Sequence, residues 1–147
     1  MTILFEKKII EKLIPEVKDE AIYLNIEGKY FVFDEESKRE FDKFNNDLFK
    51  IIIKNGYLAR HFKGQDDSKA EFFHEWLMRE EIEKFREKNE IWKKGKVHVH
   101  HLTYCKRINI QKYLKILTEE KHNIFHSGYY GIKYLYDSNE KDIEILN

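Results

Sequence analysis

Val97-His98-Val99-His100-His101-Leu102-Thr103-Tyr104, followed by Thr118-Glu119-Glu120-Lys121-His122-Asn123-Ile124-Phe125-His126, is the part of the 147-residue chain whose reading decides the fold. Val97 and Val99 alternate with His98 and His100, which is the period of a strand. Thr118 is a good helix N-cap, and Glu119 and Glu120 fall in the first turn, where carboxylates are favoured. A short helix is therefore expected to carry His122 and His126. Five of the seven histidines lie between positions 98 and 126.

On such a helix His122 and His126 stand at i and i+4, on one face, as two imidazoles holding one metal ion require. His100, on a neighbouring strand, can supply a third ligand and leave coordination positions open. His101, the next residue, points elsewhere and can remain free as a general base. His98 shares a face with His100 and is read as a supporting or packing residue. His61 and His74 are isolated in sequence and are read as packing residues. The same histidines also fit a closed four-ligand zinc site that adds His98, or a core with satisfied imidazoles.

Working outward, Phe5, Ile9, Ile10 and Leu13 repeat at helical spacing before Pro15. Residues 21–26 and 29–34 read as two strands around Glu27-Gly28. Ser37-x-x-Glu40 suggests a capping box for a helix whose apolar stripe runs Phe41, Phe44, Leu48, Ile52 and stops at Gly56. Residues 57–63 can return as a strand, and Gly64-Gln65-Asp66-Asp67 as a loop. Ser68-x-x-Glu71 suggests a second box, opening a helix through Phe72, Phe73, Trp76 and Leu77 toward Lys88, before a break at Gly95. The aromatic tail from Tyr129 to Tyr136 is expected to be a strand or a packing arm.

Lys+Arg and Asp+Glu both number 27, so the formal net charge is zero. The charge is unevenly spread. Residues 1–80 carry 14 basic against 17 acidic side chains, and residues 81–147 carry 13 against 10. From Lys93 to Lys133 there are nine basic residues, opposed only by Glu119 and Glu120. Screening limits distant charges to about 10 Å, so such a segment can meet phosphate although the whole chain is neutral. The single cysteine, Cys105, excludes an internal disulfide and a cysteine-based zinc knuckle. No leader pattern opens the chain and no apolar run approaches the ~20 residues of a membrane span. The expectation is a cytoplasmic, intracellular protein without membrane association.

Val99-His100-His101-Leu102-Thr103-Tyr104 resembles the first motif of the HNH (His-Asn-His) endonucleases, which often reads V-H-H or V-D-H before a short turn. Residues 114–126 resemble the closing motif of that family, N-L-x-x-L-T-x-x-E-H-x-x-x-H. The likeness covers about residues 96–127 and is nearest to phage and mobile-element members without zinc-knuckle cysteines. It implies an α+β protein with a ββα-metal (His-Me finger) core over 73–147 and an N-terminal α+β extension, 1–72, open to DNA or partner recognition. It further implies DNA phosphodiester hydrolysis with one divalent metal ion (Mg, Mn, Zn or Ni) held by His100, His122 and His126. His101 would act as the base, and Lys106 and Arg107 as phosphate contacts. One departure stands out: Tyr113 occupies the place of the motif Asn, which pins the loop behind the base, and a single hydroxyl cannot reproduce both amide functions. Asn109 lies four residues too early to inherit that place. The alternative is a weak or inactive module of the same fold that binds nucleic acid or a protein partner.

Overall fold

The computed structural model describes the backbone of residues 4–93, 95–103 and 105–128, and the side chains of all of these except 4, 5 and 124–128. The tail expectation for 129–136 lies outside the described residues. Helix α1 (Leu4–Leu13) buries Ile9 and Ile10, and Pro15 starts the 3-10 turn that follows it. Strands β1 (Ile22–Ile26) and β2 (Lys29–Phe33) pair antiparallel. Glu27 and Gly28 take φ of 51° and 85°, the left-handed pair that a two-residue hairpin turn demands.

Helix α2 (Glu35–Phe44) is capped by Asp34, whose carboxylate accepts from the Ser37 N–H at 2.8 Å. The cap thus sits three residues before the expected one. Ser37 is buried, and its Oγ accepts from the Gln111 N–H at 3.1 Å. The helix stops at Phe44, where the Asn46 side chain competes for local backbone groups, donating to Lys43 O and accepting from the Leu48 N–H. The Leu48–Ile52 half of the expected stripe is strand instead. β3 (Phe49–Lys54) pairs with β4 (Tyr57–Phe62) around Asn55-Gly56, with φ of 55° and 85°. The β-branched run Ile51-Ile52-Ile53 and an Asn-Gly turn outweigh a helical spacing of phenylalanines.

Asp66, not Ser68, caps the next 3-10 turn, after which the two-residue strand β5 (Glu71–Phe72) joins β4. The expected long helix is divided at Met78 into α3 (Phe73–Leu77) and α4 (Arg79–Asn89). Glu90, at φ 53°, ends it with a left-handed residue. Strand β6 (Val97–His101) pairs antiparallel with β7 (Leu114–Thr118), and helix α5 (Glu119–Gly128) follows directly. The chain is therefore a mixed α+β protein, with three small sheets among the described residues. Among the described residues no helix is long and apolar enough to cross a membrane.

Among the described residues, two apolar clusters hold these pieces together. One centres on Phe31, Phe33, Phe41, Phe44 and Phe73, joined by Leu58, Leu77, Val99 and Leu114. Phe73 meets Phe33, Phe41 and Phe44 edge-on at 5.8, 5.5 and 5.2 Å, the arrangement that ring quadrupoles favour. The other joins Ile9, Ile10, Ile14 and Val17 to Val32, Cys105, Ile108 and Ile110. Both clusters draw on residues from either side of position 72. The segment linking β6 to β7 is woven into the N-terminal half: Val32 N–H donates to Arg107 O (2.7 Å) and Asn109 N–H to Val32 O (2.8 Å). Val32 and Ile108 thereby form a parallel bridge.

Candidate functional site

Alternation along β6 sends consecutive histidines to opposite faces. His98 and His100 pair with Leu117 and Lys115 and face helix α5; Val99 and His101 pair with Ile116 and Leu114 and face the phenylalanine cluster. Thr118 Oγ1 accepts from the Lys121 N–H at 3.3 Å, so the expected N-cap is in place. One turn later His122 returns over β6. Its ring crosses that of His100 at 76° with centroids 5.5 Å apart. It also lies flat on His98, 4.8 Å away and 4° from parallel.

This geometry tests whether a metal ion suits the site. Two imidazoles bound at about 2.1 Å and opening a tetrahedral angle bring their centroids to about 5 Å. The crossed His100–His122 pair fits that arrangement. The stacked His98–His122 pair does not, since imidazole lone pairs lie in the ring plane and run side by side in stacked rings. His126 is on α5 one turn beyond His122, but its side chain lies outside the described residues. Among the described residues no group of three metal-ligating side chains is assembled.

On the other face, His101 is 3% exposed and its Nε2 lies 3.2 Å from Asn109 Oδ1. With Nε2–H donating to that oxygen, the lone pair is at Nδ1. Burial pushes the His101 imidazole down to about 4; the Asn109 hydrogen bond opposes that shift, and the positive charges of Lys106 and His122 reinforce it. His74, read from the sequence as isolated, stands edge-on to His101 at 4.9 Å. Burial holds His74 well below the ordinary histidine range, assisted by His101 and His122. Tyr57 lies against both rings, at 4.7 and 5.6 Å. By contrast, His61 is engaged by the Phe62 carbonyl (2.8 Å) and the Asp67 carboxylate (3.4 Å), in keeping with a packing role.

The loop residues take up definite positions. Lys106 Nζ donates to Asn55 O at 3.0 Å and sits 4.8 Å from the Tyr57 ring centre. Arg107 Nη1 donates to the fully buried Glu6 carboxylate. Tyr113 does not reach toward His101. Its hydroxyl bonds Glu16, and desolvation with that bond raises it to about 12. Its backbone carbonyl accepts from the Leu102 N–H at 2.9 Å and closes the loop. Lys115, the cross-strand neighbour of His100, is exposed and has no ion-pair partner among the described residues.

His100 and His101 are both enclosed, at 2% and 3% exposed. Helix α5 covers the first, and Asn109, Tyr57 and His74 enclose the second. Sequence reasoning set Asn109 aside as four residues too early and read His74 as an isolated packing residue. The only signal for either was the proximity of Asn109 to the motif position that Tyr113 fills. No family model, curated protein or solved structure matches the chain.

Proposed function

We propose that the protein is a metal-dependent endonuclease of the HNH type, hydrolysing DNA phosphodiester bonds from a ββα-metal unit made of β6, β7 and α5. The observation that carries the reading is the crossed His100–His122 pair, one ligand from the hairpin and one from the helix, with a further imidazole next in the strand. His100, His122 and His126 would hold the ion. When bound, a divalent ion would neutralise charge on the phosphate and on the departing oxygen. His101 would accept a proton at Nδ1 from the attacking water. Asn109 fixes its tautomer and ring angle, which gives a positioning amide in spite of Tyr113. Lys115, exposed beside His100, is the phosphate contact that the sheet register favours. Lys106 and Arg107, the contacts expected from the sequence, already have partners inside the fold.

The test is relaxation of supercoiled plasmid DNA by purified protein with magnesium, manganese, nickel or zinc ions. His101→Ala should lower the metal-dependent rate about 10²–10⁴-fold. Nicking by that variant at the wild-type rate overturns the assignment. A second reading is a weak or inactive module of the same fold that binds nucleic acid or a protein partner. The enclosure of His101 favours it, because a base must meet water. DNA retention on a gel without nicking under any of these ions is its outcome.

A further inference from the structure

We infer that His98 is a positioning residue for His122, holding the helix ligand at the angle from which it can meet His100. The inference rests on the metal-site reading above and concerns a residue outside that ligand set. Three facts carry it. The His98 and His122 rings lie face to face, 4.8 Å between centres and 4° between planes. His98 is itself tethered, its Nε2–H donating to the Gly95 carbonyl at 3.0 Å. His98 lies on the face of β6 that also presents His100, and His122 meets both rings there.

A ligand on the first turns of a helix has rotamer freedom that must be removed before it can hold an ion with His100. A flat ring beneath it allows sliding but resists tilting, so the plane of His122 is fixed by the plane of His98. The tether to Gly95 fixes that plane in turn. Gly95 has φ of 84°, a left-handed conformation suited to glycine, and this turn aims its carbonyl at the strand that follows. The chain of restraint therefore runs from a backbone turn, through a stacked imidazole, to the ligand. His98 cannot itself be the missing third ligand in this arrangement, because its in-plane lone pairs run parallel to those of His122.

The experiment is a cobalt(II) titration of the full chain, followed by visible absorption and by competition with zinc. It compares wild type with His122→Ala, His98→Phe and His98→Leu. Phenylalanine keeps a flat ring under His122, whereas leucine fills the volume without one. Thermal unfolding in chelator establishes that each variant is folded, and His98→Gln replaces any that is not. The expected result is cobalt affinity about tenfold weaker in His98→Leu and within about threefold of wild type in His98→Phe, the scale on which outer partners tune metal sites. Wild-type affinity in His98→Leu, with binding lost in His122→Ala, overturns the role of His98 and leaves the metal site standing. Equal weakening in His98→Phe and His98→Leu overturns positioning by stacking, since a flat ring under His122 would then do no more than an aliphatic side chain of similar volume. Absence of cobalt binding by wild type overturns the metal-site reading itself.

Discussion

Asn109 shows how much one side chain can decide. It is 1% exposed, its Oδ1 faces His101, and its Nδ2 has no hydrogen-bond partner among the described residues. Carrying such a buried orphan donor costs about 1–3 kcal/mol, so the carboxamide is held there against its own solvation. On the proposed reading, Asn109→Ala is expected to lower the nicking rate about tenfold or more while cobalt affinity stays within about twofold, since Asn109 touches the proposed base and not the proposed ligands. The buried imidazoles give a second expectation. His101 titrates near 6.5 when unfolded and at about 4 when folded, and His74 is shifted the same way. Below about pH 6.5 the unfolded chain binds more protons, so stability falls as pH drops toward 4; His101 alone contributes a loss of about 2 kcal/mol at about pH 5. Urea unfolding in chelator at about pH 7 and about pH 5 measures this. His74→Phe should show the smaller loss of the two proteins.

Among elements, the segment between β6 and β7 is the informative one. Arg107 pairs there with Glu6 of α1, whose side chain is 0% exposed. Removing one partner of a buried pair leaves a stranded charge, so Arg107→Ala should cost about 3–5 kcal/mol in denaturant unfolding. Loss of DNA binding in that variant would then report unfolding. Lys115 separates the two effects: Lys115→Ala should leave stability within about 0.5 kcal/mol and lower the salt slope of DNA binding by about 1. Much of this architecture was legible in the sequence. Alternation gave β6, Thr118 gave the start of α5, and Glu27-Gly28 gave the first hairpin. The spacing of Phe41 and Phe44 was read correctly as helix, but extending it to Ile52 ignored the Asn-Asn-Asp break and the Asn55-Gly56 turn. Asn109 and His74 were illegible for a different reason. Their meaning depends on β2 and β4, partners set by tertiary packing that no local pattern encodes.

On the scale of the whole molecule, neither half of the chain owns a core among the described residues. Phe73, Val99 and Leu114 complete a cluster begun by Phe31, Phe33, Phe41 and Phe44, while Cys105, Ile108 and Ile110 complete one begun by α1. A fragment spanning 73–147 should therefore lack a cooperative thermal transition by circular dichroism, and adding a 1–72 fragment should restore one. Phe73→Ala in the full chain should cost about 3–5 kcal/mol, the usual loss for a fully buried ring. The Val32–Ile108 bridge also bears on the order of assembly. The β6–β7 hairpin closes locally, but setting Asn109 against His101 also draws on a backbone bond to Val32, far earlier in the chain. Contacts of such long sequence separation demand loop closure before they give anything back, and they slow folding. The geometry proposed for His101 is thus tied to the long-range docking of the two halves, and a slow refolding phase should bring with it the recovery of the proposed nicking activity.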